Sequence, residues 1–161
     1  MPIHKKIRQL PTVALLSATL LLFGNTIVQA QSAEVEVRAI VDQLFTGMKT
    51  GDSSLVAKSF TADATLQSVS MDVTGKVKTS KNGIESFVNA VGTPHKEIWD
   101  ERIYDLKIQV DRPMATVWVP YKFYIGDKFS HCGVNAFTLI KFESGWKIAS
   151  ITDTRRKDGC L

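Results

Sequence analysis

The sequence has few of the residues that carry metal or redox chemistry. Its 161 residues include only two cysteines, fewer than the three or four ligands that a structural zinc site needs. Internal repeats, low-complexity tracts and interdomain linkers are also missing, so the length fits one domain with a real core. We therefore expect neither a metal site nor a cofactor.

A basic surface is missing as well, once the N-terminus is set aside. The chain carries 20 Lys and Arg residues against 16 Asp and Glu, but residues 1–30 contain three of the basic residues and none of the acidic ones. The remainder has a net charge of +1 and no basic stripe with interleaved aromatic residues. Nucleic-acid binding is therefore not expected.

The first thirty residues have the composition of a secretory signal peptide. Positions 5–8 hold three basic residues, residues 12–23 are apolar, and the sequence VQA at 28–30 offers small residues before a cut. An uncleaved anchor is the alternative, but the apolar run is shorter than the roughly 20 residues that span a bilayer. We expect cleavage near residue 30, no stable membrane anchor afterwards, and a periplasmic or secreted single domain over residues 31–161.

The order of the periodic segments predicts an α+β domain. Apolar residues recur at three and four over residues 34–49, and shorter helices are predicted over 54–60 and 84–91. Alternating segments predict strands over 64–72, 97–110, 114–125, 129–142 and 146–155, with 73–78 as an edge strand or hairpin limb. Helices segregated from a meandering antiparallel sheet make an α+β domain. Pro120 inside a predicted strand indicates a bulge or a bend, and a curved sheet over the long first helix would form a cone with an open mouth.

The last two predicted strands form one β-hairpin around Gly145. With Phe142 opposite Trp146, the remaining cross-strand pairs become Leu139 with Ala149, Phe137 with Ile151, and Asn135 with Asp153. Because side chains alternate along a strand, one face of the hairpin then carries His131, Asn135, Phe137, Leu139, Ile151, Asp153 and Arg155. This face is apolar near the turn and polar away from it, as is typical of a binding pocket. We favour it as the lining of the cone.

The opposite face of the predicted hairpin is apolar throughout. It carries Val134, Ala136, Ile140, Phe142, Trp146 and Ile148. Such a face suits either helix packing or the interface of a homodimer.

Both cysteines lie in the part of the chain that would be exported. In an oxidising compartment two such thiols form a disulfide more often than they stay free, although two unpaired thiols are the alternative. The same hairpin register puts Cys132 opposite Arg156, and Gly159 lets the tail turn back toward that strand. We predict a disulfide between Cys132 and Cys160.

Short motifs then suggest a family. The order of elements, the sequence FTADA at 60–64 and the closing GWKI at 145–148 resemble the nuclear transport factor 2 superfamily. That superfamily includes SnoaL-like cyclases, ketosteroid isomerases, scytalone dehydratases and lumazine-binding-type proteins. The sequences HCGVNAF at 131–137 and DTRR at 153–156, with the near-terminal Cys160, resemble an exported bacterial branch. The resemblance implies a cystatin-like cone, with three N-terminal helices packed against a curved, mostly antiparallel sheet.

The resemblance does not fix a function, because this fold hosts enzymes, carriers and assembly modules alike. The leading hypothesis is an exported domain that binds a small, partly apolar molecule. Its ligand-binding residues would be Asn135, Phe137, Ile151, Asp153, Arg155, Tyr104 and Tyr121. The last of three hypotheses is a dimeric interaction module without a ligand.

The runner-up to the binding hypothesis is a cofactor-independent acid–base enzyme of the isomerase, dehydratase or cyclase type. His131 and Asp153 are its candidate catalytic residues, since a histidine with a pKa of about 6.5 suits proton transfer near neutrality. The alternatives are a solvated histidine at a strand end and a structural pair of Asp153 with Asn135. Arg155 with Arg156 would either hold an anion or stay solvated. Whether the protein is an enzyme is left open at this point.

Overall fold

The computed structural model of the protein describes residues 16–160. The first half of the predicted signal peptide, residues 1–15, lies outside the described residues, so its cleavage stays a prediction. The described residues fall into two units, one that ends at Ser32 and one that begins at Ala33. Among the described residues, no helix is long and apolar enough to cross a membrane.

The described residues form three helices and seven strands. The helices are α1 (Leu16–Thr50), α2 (Ser53–Ser59) and α3 (Ile84–Gly92). The strands are β1 (Phe60–Met71), β2 (Val77–Gly83), β3 (Trp99–Ile103), β4 (Lys107–Asp111), β5 (Met114–Ile125), β6 (Lys128–Phe142) and β7 (Gly145–Arg155). The predicted α+β class is confirmed, with helix α1 beginning well before the predicted residue 34.

The junction between α1 and α2 is fixed by two residues. Gly51 adopts a left-handed backbone with φ of 69°, a conformation that costs glycine little and ends a helix. Asp52 then caps α2, because its side-chain oxygen accepts a hydrogen bond of 2.9 Å from the Leu55 N–H. Only two residues therefore separate α1 from α2, and α2 leads directly into strand β1.

The seven strands form one mostly antiparallel sheet in the order β2-β1-β7-β6-β5-β3, with β4 also paired to β5. Only β1 and β7 run parallel among the described pairs. Their pairing places Ser68 opposite Asp153. The long strands β5, β6 and β7 form the centre of the sheet, and their inner face packs on α1.

The predicted single strand over residues 97–110 is wrong. It is broken into β3 and β4, because Asp105 adopts a left-handed backbone with φ of 45°. Both pieces pair with β5, and Pro120 lies where β5 changes partner from β4 to β3. The missing N–H of Pro120 therefore removes no ladder hydrogen bond, while its carbonyl accepts one of 2.9 Å from the Tyr104 N–H.

Of the two alternatives predicted at Pro120, a bulge or a bend, the bulge is not found at this residue. The register between β5 and β6 is continuous through the pair of Pro120 with Val134 and shifts only beyond Phe123. At that point Ser130 is the extra residue of β6, since Phe123 pairs with His131 and Tyr124 pairs with Phe129. A bulge bends a strand, and this one lies beside the open end of the cone.

The predicted register of the β6–β7 hairpin is correct at its open end and wrong near its turn. Asn135 pairs with Asp153, and Phe137 pairs with Ile151, as predicted. Near the turn, Phe142 pairs with Gly145 and Leu139 pairs with Ile148. The loop has two residues instead of three, and a bulge at Ala149 then restores the predicted pairs.

The change of register near the turn also moves two residues of the face predicted to be the outer one, Trp146 and Ile148, to the inner face of the hairpin. Because Ile148 lies directly across from Leu139, the two side chains share the inner face, and both are fully buried. Trp146 is buried too, whereas Ile140 and Phe142 remain exposed on the outer face. The inner face packs on Val37, Val41 and Leu44 of α1 in one apolar core, so burial of these chains drives the folding of the cone.

The predicted disulfide is present. Cys132 and Cys160 are bonded, with their Cα atoms 5.9 Å apart. Cys132 also exchanges two backbone hydrogen bonds of 2.9 Å with Arg156, the partner that the register predicted. The chain beyond β7 is therefore held against β6.

Candidate functional site

A concave space of about 570 Å³ lies between helices α1 and α3 and the inner face of the sheet. Apolar side chains from both layers line most of it, including Phe45, Phe87, Trp99, Phe123 and Phe137. Polar side chains gather on the β3, β5, β6 and β7 side, including Glu101, Tyr121, His131, Asn135, Asp153 and Arg155. The space thus has an apolar wall and a polar wall, which is the usual division of a small-molecule pocket.

The structure places nearly all of the sequence-predicted site residues around this space. The mixed hairpin face lines it through His131, Asn135, Phe137, Ile151, Asp153 and Arg155, and Tyr121 joins them from β5. Leu139 instead lies fully buried in the core. The side chains converge because β5, β6 and β7 are neighbours and alternate residues of each point inward.

Tyr104 is the exception, and its predicted position is wrong. It lies in the break between β3 and β4, is 39% exposed, and does not line the cavity. Its ring instead contacts the ammonium of Lys122, 5.5 Å from the ring centre. The alternation that predicted an inward tyrosine fails because Asp105 interrupts the strand.

Asp153 is surrounded by hydrogen-bond donors. One carboxylate oxygen accepts a hydrogen bond of 2.5 Å from the Ser68 hydroxyl. The other accepts one of 2.8 Å from Arg155 Nε and lies 3.2 Å from the Tyr121 hydroxyl. The side chain is almost completely buried, and its charge is compensated by Arg155. Asp153 is therefore a structural centre of the polar wall, with protein donors on both of its oxygens.

Tyr121 acts as a donor in this network. Its hydroxyl lies 3.0 Å from the Thr154 carbonyl and 3.2 Å from Asp153. Burial raises its pKa, and the nearby carboxylates of Asp153 and Glu101 raise it further. The phenol therefore keeps its proton throughout the neutral range.

Gly133 makes this arrangement possible. A Cβ atom at this position would lie 1.7 Å from the Thr154 carbonyl oxygen and 3.0 Å from Cε1 of Tyr121. Any larger residue would push β7 or the tyrosine ring away. The glycine thus permits the close approach that lets Tyr121 reach both Asp153 and Thr154.

Glu101 has a different environment from Asp153. Its Oε1 accepts a hydrogen bond of 2.7 Å from the Asn135 amide, and among residues 16–160 no other side chain donates to it. Burial raises its pKa from 4.5 to about 7; the charge of Asp153 adds to this, while the Asn135 hydrogen bond and Arg155 oppose it. At neutral pH this carboxyl group is divided between its two protonation states, as suits an acid or a base.

His131 lies at the rim of the polar wall. Its ring packs edge-on against Tyr121, with centroids 5.7 Å apart, and its Nδ1 lies 3.1 Å from the Ser130 hydroxyl. Burial lowers its pKa from 6.5, and Arg155 and Lys157 lower it further against the opposing effect of Asp153. His131 makes no hydrogen bond with Asp153 among the described residues, so the predicted catalytic pair shares a cavity without direct contact.

The family model described as "Putative lumazine-binding" matches residues 32–152. The chain belongs to this family. The matched residues include every side chain that lines the cavity except Asp153 and Arg155. No curated protein matches the chain.

Solved structures with the same fold are similar to this family member. One is a nuclear transport factor 2-like protein with a cystatin-like fold from Novosphingobium aromaticivorans, at 14% identity and a TM-score of 0.63, covering 94% of this chain and 95% of that one. Another is a nuclear transport factor 2-like protein of unknown function from Shewanella baltica, at 18% identity and a TM-score of 0.57, covering 81% and 97%.

A third similar structure is a protein of unknown function with a cystatin-like fold from Nostoc punctiforme. Its identity is 12%, its TM-score is 0.60, and the match covers 78% of this chain and 92% of that one. At such identities the likeness shows the fold alone. The predicted cystatin-like cone is thereby confirmed, and the family match over residues 32–152 confirms the predicted lumazine-binding-type resemblance.

Two residues of the site in this lumazine-binding-family chain were missed by sequence reasoning. Glu101 was not among the predicted site residues, because alternation along one continuous strand over residues 97–110 would put it on the face opposite Tyr104. The break at Asp105 reverses that placement. Ser68 reaches Asp153 only because β1 and β7 are parallel neighbours, a pairing between residues far apart in sequence. Trp99, Glu101 and Ile103 do alternate within β3, which is the one local signal for Glu101.

The cavity of this family member offers no evident metal centre. Within residues 16–160, no group of three or more His, Cys, Asp or Glu side chains is positioned to hold a metal ion. The carboxyl groups of Asp153 and Glu101 are instead engaged by Arg155 and Asn135 respectively.

Proposed function

We propose that this protein is an exported domain that binds a small, partly apolar molecule in its cone. The observation that supports this most directly is the cavity of about 570 Å³, with aromatic side chains on one wall and polar groups on the other. A cavity of this size suits a compact organic molecule. The family description is consistent with ligand binding as well.

The two walls would divide the recognition of the ligand. Phe45 and Phe137, whose rings meet edge-to-face at 6.2 Å, would bury the apolar part of the molecule and supply most of the binding free energy. Asn135, Glu101 and Arg155 would fix its orientation through hydrogen bonds. The ordered network around Asp153 would hold these groups in place before the ligand arrives.

Native mass spectrometry of the exported protein tests binding. We expect a small molecule to co-purify with the wild type. The variant Ile151→Trp, which fills the cavity, should lose it, whereas Thr152→Trp should keep it because Thr152 lies on the exposed outer face. Wild-type protein that carries no small molecule and is stabilised by none in a ligand screen would contradict the proposal.

Export is part of this proposal. The basic, apolar and small-residue order of residues 1–30 supports it, as does a disulfide between Cys132 and Cys160. N-terminal sequencing of protein recovered from the periplasm or the medium should begin near Gln31. Recovered protein that begins at Met1 would contradict cleavage.

A second candidate function is acid–base catalysis without a cofactor, and Glu101 is the observation that favours it. A carboxyl group with a pKa of about 7 can take a proton from a bound substrate and return it at another atom. Glu101 would replace Asp153 in the predicted pair, because Asp153 is already saturated with donors. In that case Glu101→Gln abolishes turnover but retains substrate binding, and activity rises with pH to a plateau above about 7.

A homodimer is a further proposal, based on the outer face of the sheet. Met114, Trp118, Ile140 and Phe142 are each more than a third exposed on strands β5 and β6, and exposed apolar patches of this kind mark interfaces. Light scattering should give a dimer for the wild type and a monomer for Trp118→Lys. A monomeric wild type at micromolar concentration would exclude this interface.

A further inference from the structure

We propose that the molecule held in the cavity carries a protonated amine, and that this amine binds to Glu101. The inference rests on the proposed binding function and adds the chemical class of the ligand. The inference derives from three features of the described residues. These are the Glu101 oxygen that receives no protein hydrogen bond, the uncompensated charge of an ionised Glu101, and the aromatic rings beside Glu101.

The first feature is the free acceptor capacity of Glu101. Its Oε1 accepts from the Asn135 amide at 2.7 Å, and among the described residues its Oε2 receives no hydrogen bond. Both oxygens of Asp153, by contrast, are engaged by protein donors. Glu101 is partly buried where it lines the cavity, and a carboxylate oxygen without a protein donor is open to a ligand N–H group.

The second feature is the charge balance of the cavity. Its lining contains four groups that titrate or carry charge near neutrality, namely Glu101, Asp153, Arg155 and His131. Asp153 and Arg155 compensate each other through a 2.8 Å ion pair, and burial keeps His131 neutral by lowering its pKa. An ionised Glu101 therefore leaves the cavity with one net negative charge, which a monocation neutralises and an anion does not.

The third feature is the aromatic surface beside Glu101. Trp99 lies two residues earlier on the same inner face of β3, and Phe123 is the direct cross-strand partner of Glu101. The two rings meet edge-to-face with centroids 6.3 Å apart. Aromatic faces next to a carboxylate attract organic cations through the ring quadrupole.

Binding of an amine at this site must be linked to pH. The groups that face Glu101 are Asn135 and His131 from β6, Tyr121 from β5, and Asp153 and Arg155 from β7. Below about pH 7 Glu101 holds a proton, which an incoming ammonium must displace. Affinity for the amine should therefore rise with pH up to about 7 and then level off, since alkylamines keep their own proton to about pH 10.

Isothermal titration calorimetry with three probes of the same size tests the inference. The probes are 2-phenylethylamine, 2-phenylethanol and phenylacetate, which share a benzyl group and carry an ammonium, a hydroxyl and a carboxylate group respectively. For the wild type at pH 7.5 we expect the amine to bind at least tenfold more tightly than the alcohol, and phenylacetate to bind most weakly. The amine should bind about 20-fold more weakly at pH 5.5, whereas the affinity of the alcohol should be nearly constant.

Two variants complete the test. Glu101→Gln should bind amine and alcohol equally and lose the pH dependence, while Glu143→Gln, which removes the same charge at the exposed β6–β7 turn, should behave like the wild type. Tighter binding of phenylacetate or the alcohol would overturn the inference and leave the proposed binding function intact. Failure of all three probes would overturn the inference, and a wild type that also purifies without any small molecule would overturn the binding function separately. The wild-type pH series decides the matter even if Glu101→Gln fails to fold.

Discussion

The two sides of the cavity each carry a carboxyl group, but the protein gives these two groups different numbers of hydrogen-bond donors. On the β7 side, Asp153 is held by Ser68, Tyr121 and Arg155. On the β3 side, the Asn135 amide is the one donor to Glu101 among the described residues, and burial raises the pKa of Glu101 to about 7. Both carboxyl groups line the same cavity. What distinguishes them is the number of donors that the protein provides to each.

This comparison indicates that the number of hydrogen-bond donors around a carboxyl group in the cavity decides whether it serves the structure or binds a ligand. A carboxylate with three donors and an ion pair is an element of structure, and its removal should cost stability. A carboxyl group with one donor has a raised pKa because its charged form is poorly solvated, so it holds a proton more readily. It also remains available to a ligand. The experiments below disturb one side at a time, beginning with the largest expected effect.

Gly133→Ala should disrupt the Asp153 side most severely. The new Cβ would lie 1.7 Å from the Thr154 carbonyl oxygen, so β6 and β7 must separate where Tyr121 reaches Thr154. We expect a loss of more than about 4 kcal/mol in the free energy of unfolding, or failure to fold. Chemical denaturation measures it.

Gly83→Ala is the matched control for that variant. A Cβ at Gly83 meets no atom within 4 Å, so its stability should stay within about 0.5 kcal/mol of the wild type. Wild-type stability of Gly133→Ala would mean that the close approach of β6 and β7 is not needed.

Removal of the disulfide should weaken the same side of the cavity. The bond joins residues 28 apart in sequence, and the chain-entropy relation gives a loss of about 3–4 kcal/mol for Cys132→Ser with Cys160→Ser. Amide hydrogen exchange should quicken around Arg156 and leave β3 unchanged. A reductant should destabilise the wild type but not the double variant; equal stability of the two under oxidising conditions would contradict the role assigned to the bond.

Neutral replacements of the two carboxyl groups should change stability in opposite directions. The pKa of Glu101 is about 7 in the folded protein against an ordinary 4.5. The stability that its proton contributes is therefore full below pH 4.5 and lost as pH rises through 7. Glu101→Gln should thus be more stable than the wild type at pH 8, by up to about 3 kcal/mol, and similar to it near pH 4.5.

Asp153→Asn should instead destabilise the protein by about 1–2 kcal/mol at pH 8, because a charge-assisted acceptor for Ser68 and Arg155 is lost. Arg155 is half exposed, so water limits the cost. Urea denaturation of both variants at the two pH values gives the comparison. If both variants were more stable, or both less stable, than the wild type at pH 8, the two carboxyl groups would not differ in their surroundings as described.

His131 should show the smallest effect. Burial and the charges of Arg155 and Lys157 lower its pKa, so its titration midpoint in an NMR spectrum of the imidazole should fall below 6.5. Lys157→Gln should raise that midpoint slightly. A midpoint above 6.5 would indicate that Asp153 dominates the surroundings of His131.

Much of this architecture follows from local pattern. The spacing of Val37, Val41 and Leu44 predicts the buried face of α1, and alternation predicts the inward set of β6. The pair of Asn135 with Asp153 was predicted from a three-residue turn, although the turn has two residues. The prediction is still correct because the bulge at Ala149 adds back the missing residue.

The rest depends on features that a local pattern does not contain. Glu101 faces inward because a left-handed Asp105 ends β3, and one interrupted strand reverses the direction of every side chain before the break. Ser68 meets Asp153 through a parallel pairing of β1 and β7, which are separated by most of the domain. The acidic residue available to a ligand was therefore the one that alternation placed on the wrong face.

The central claim is that Glu101, a carboxyl group with a single protein donor, is the reactive feature of this cavity. A measurement of the pKa of Glu101 tests this claim most directly. Carbon-13 NMR of protein labelled at the glutamate carboxyl carbon measures it, with Glu101→Gln identifying the signal. The account predicts a midpoint of about 7 for Glu101, well above those of the exposed glutamates. A midpoint near 4.5 would contradict it.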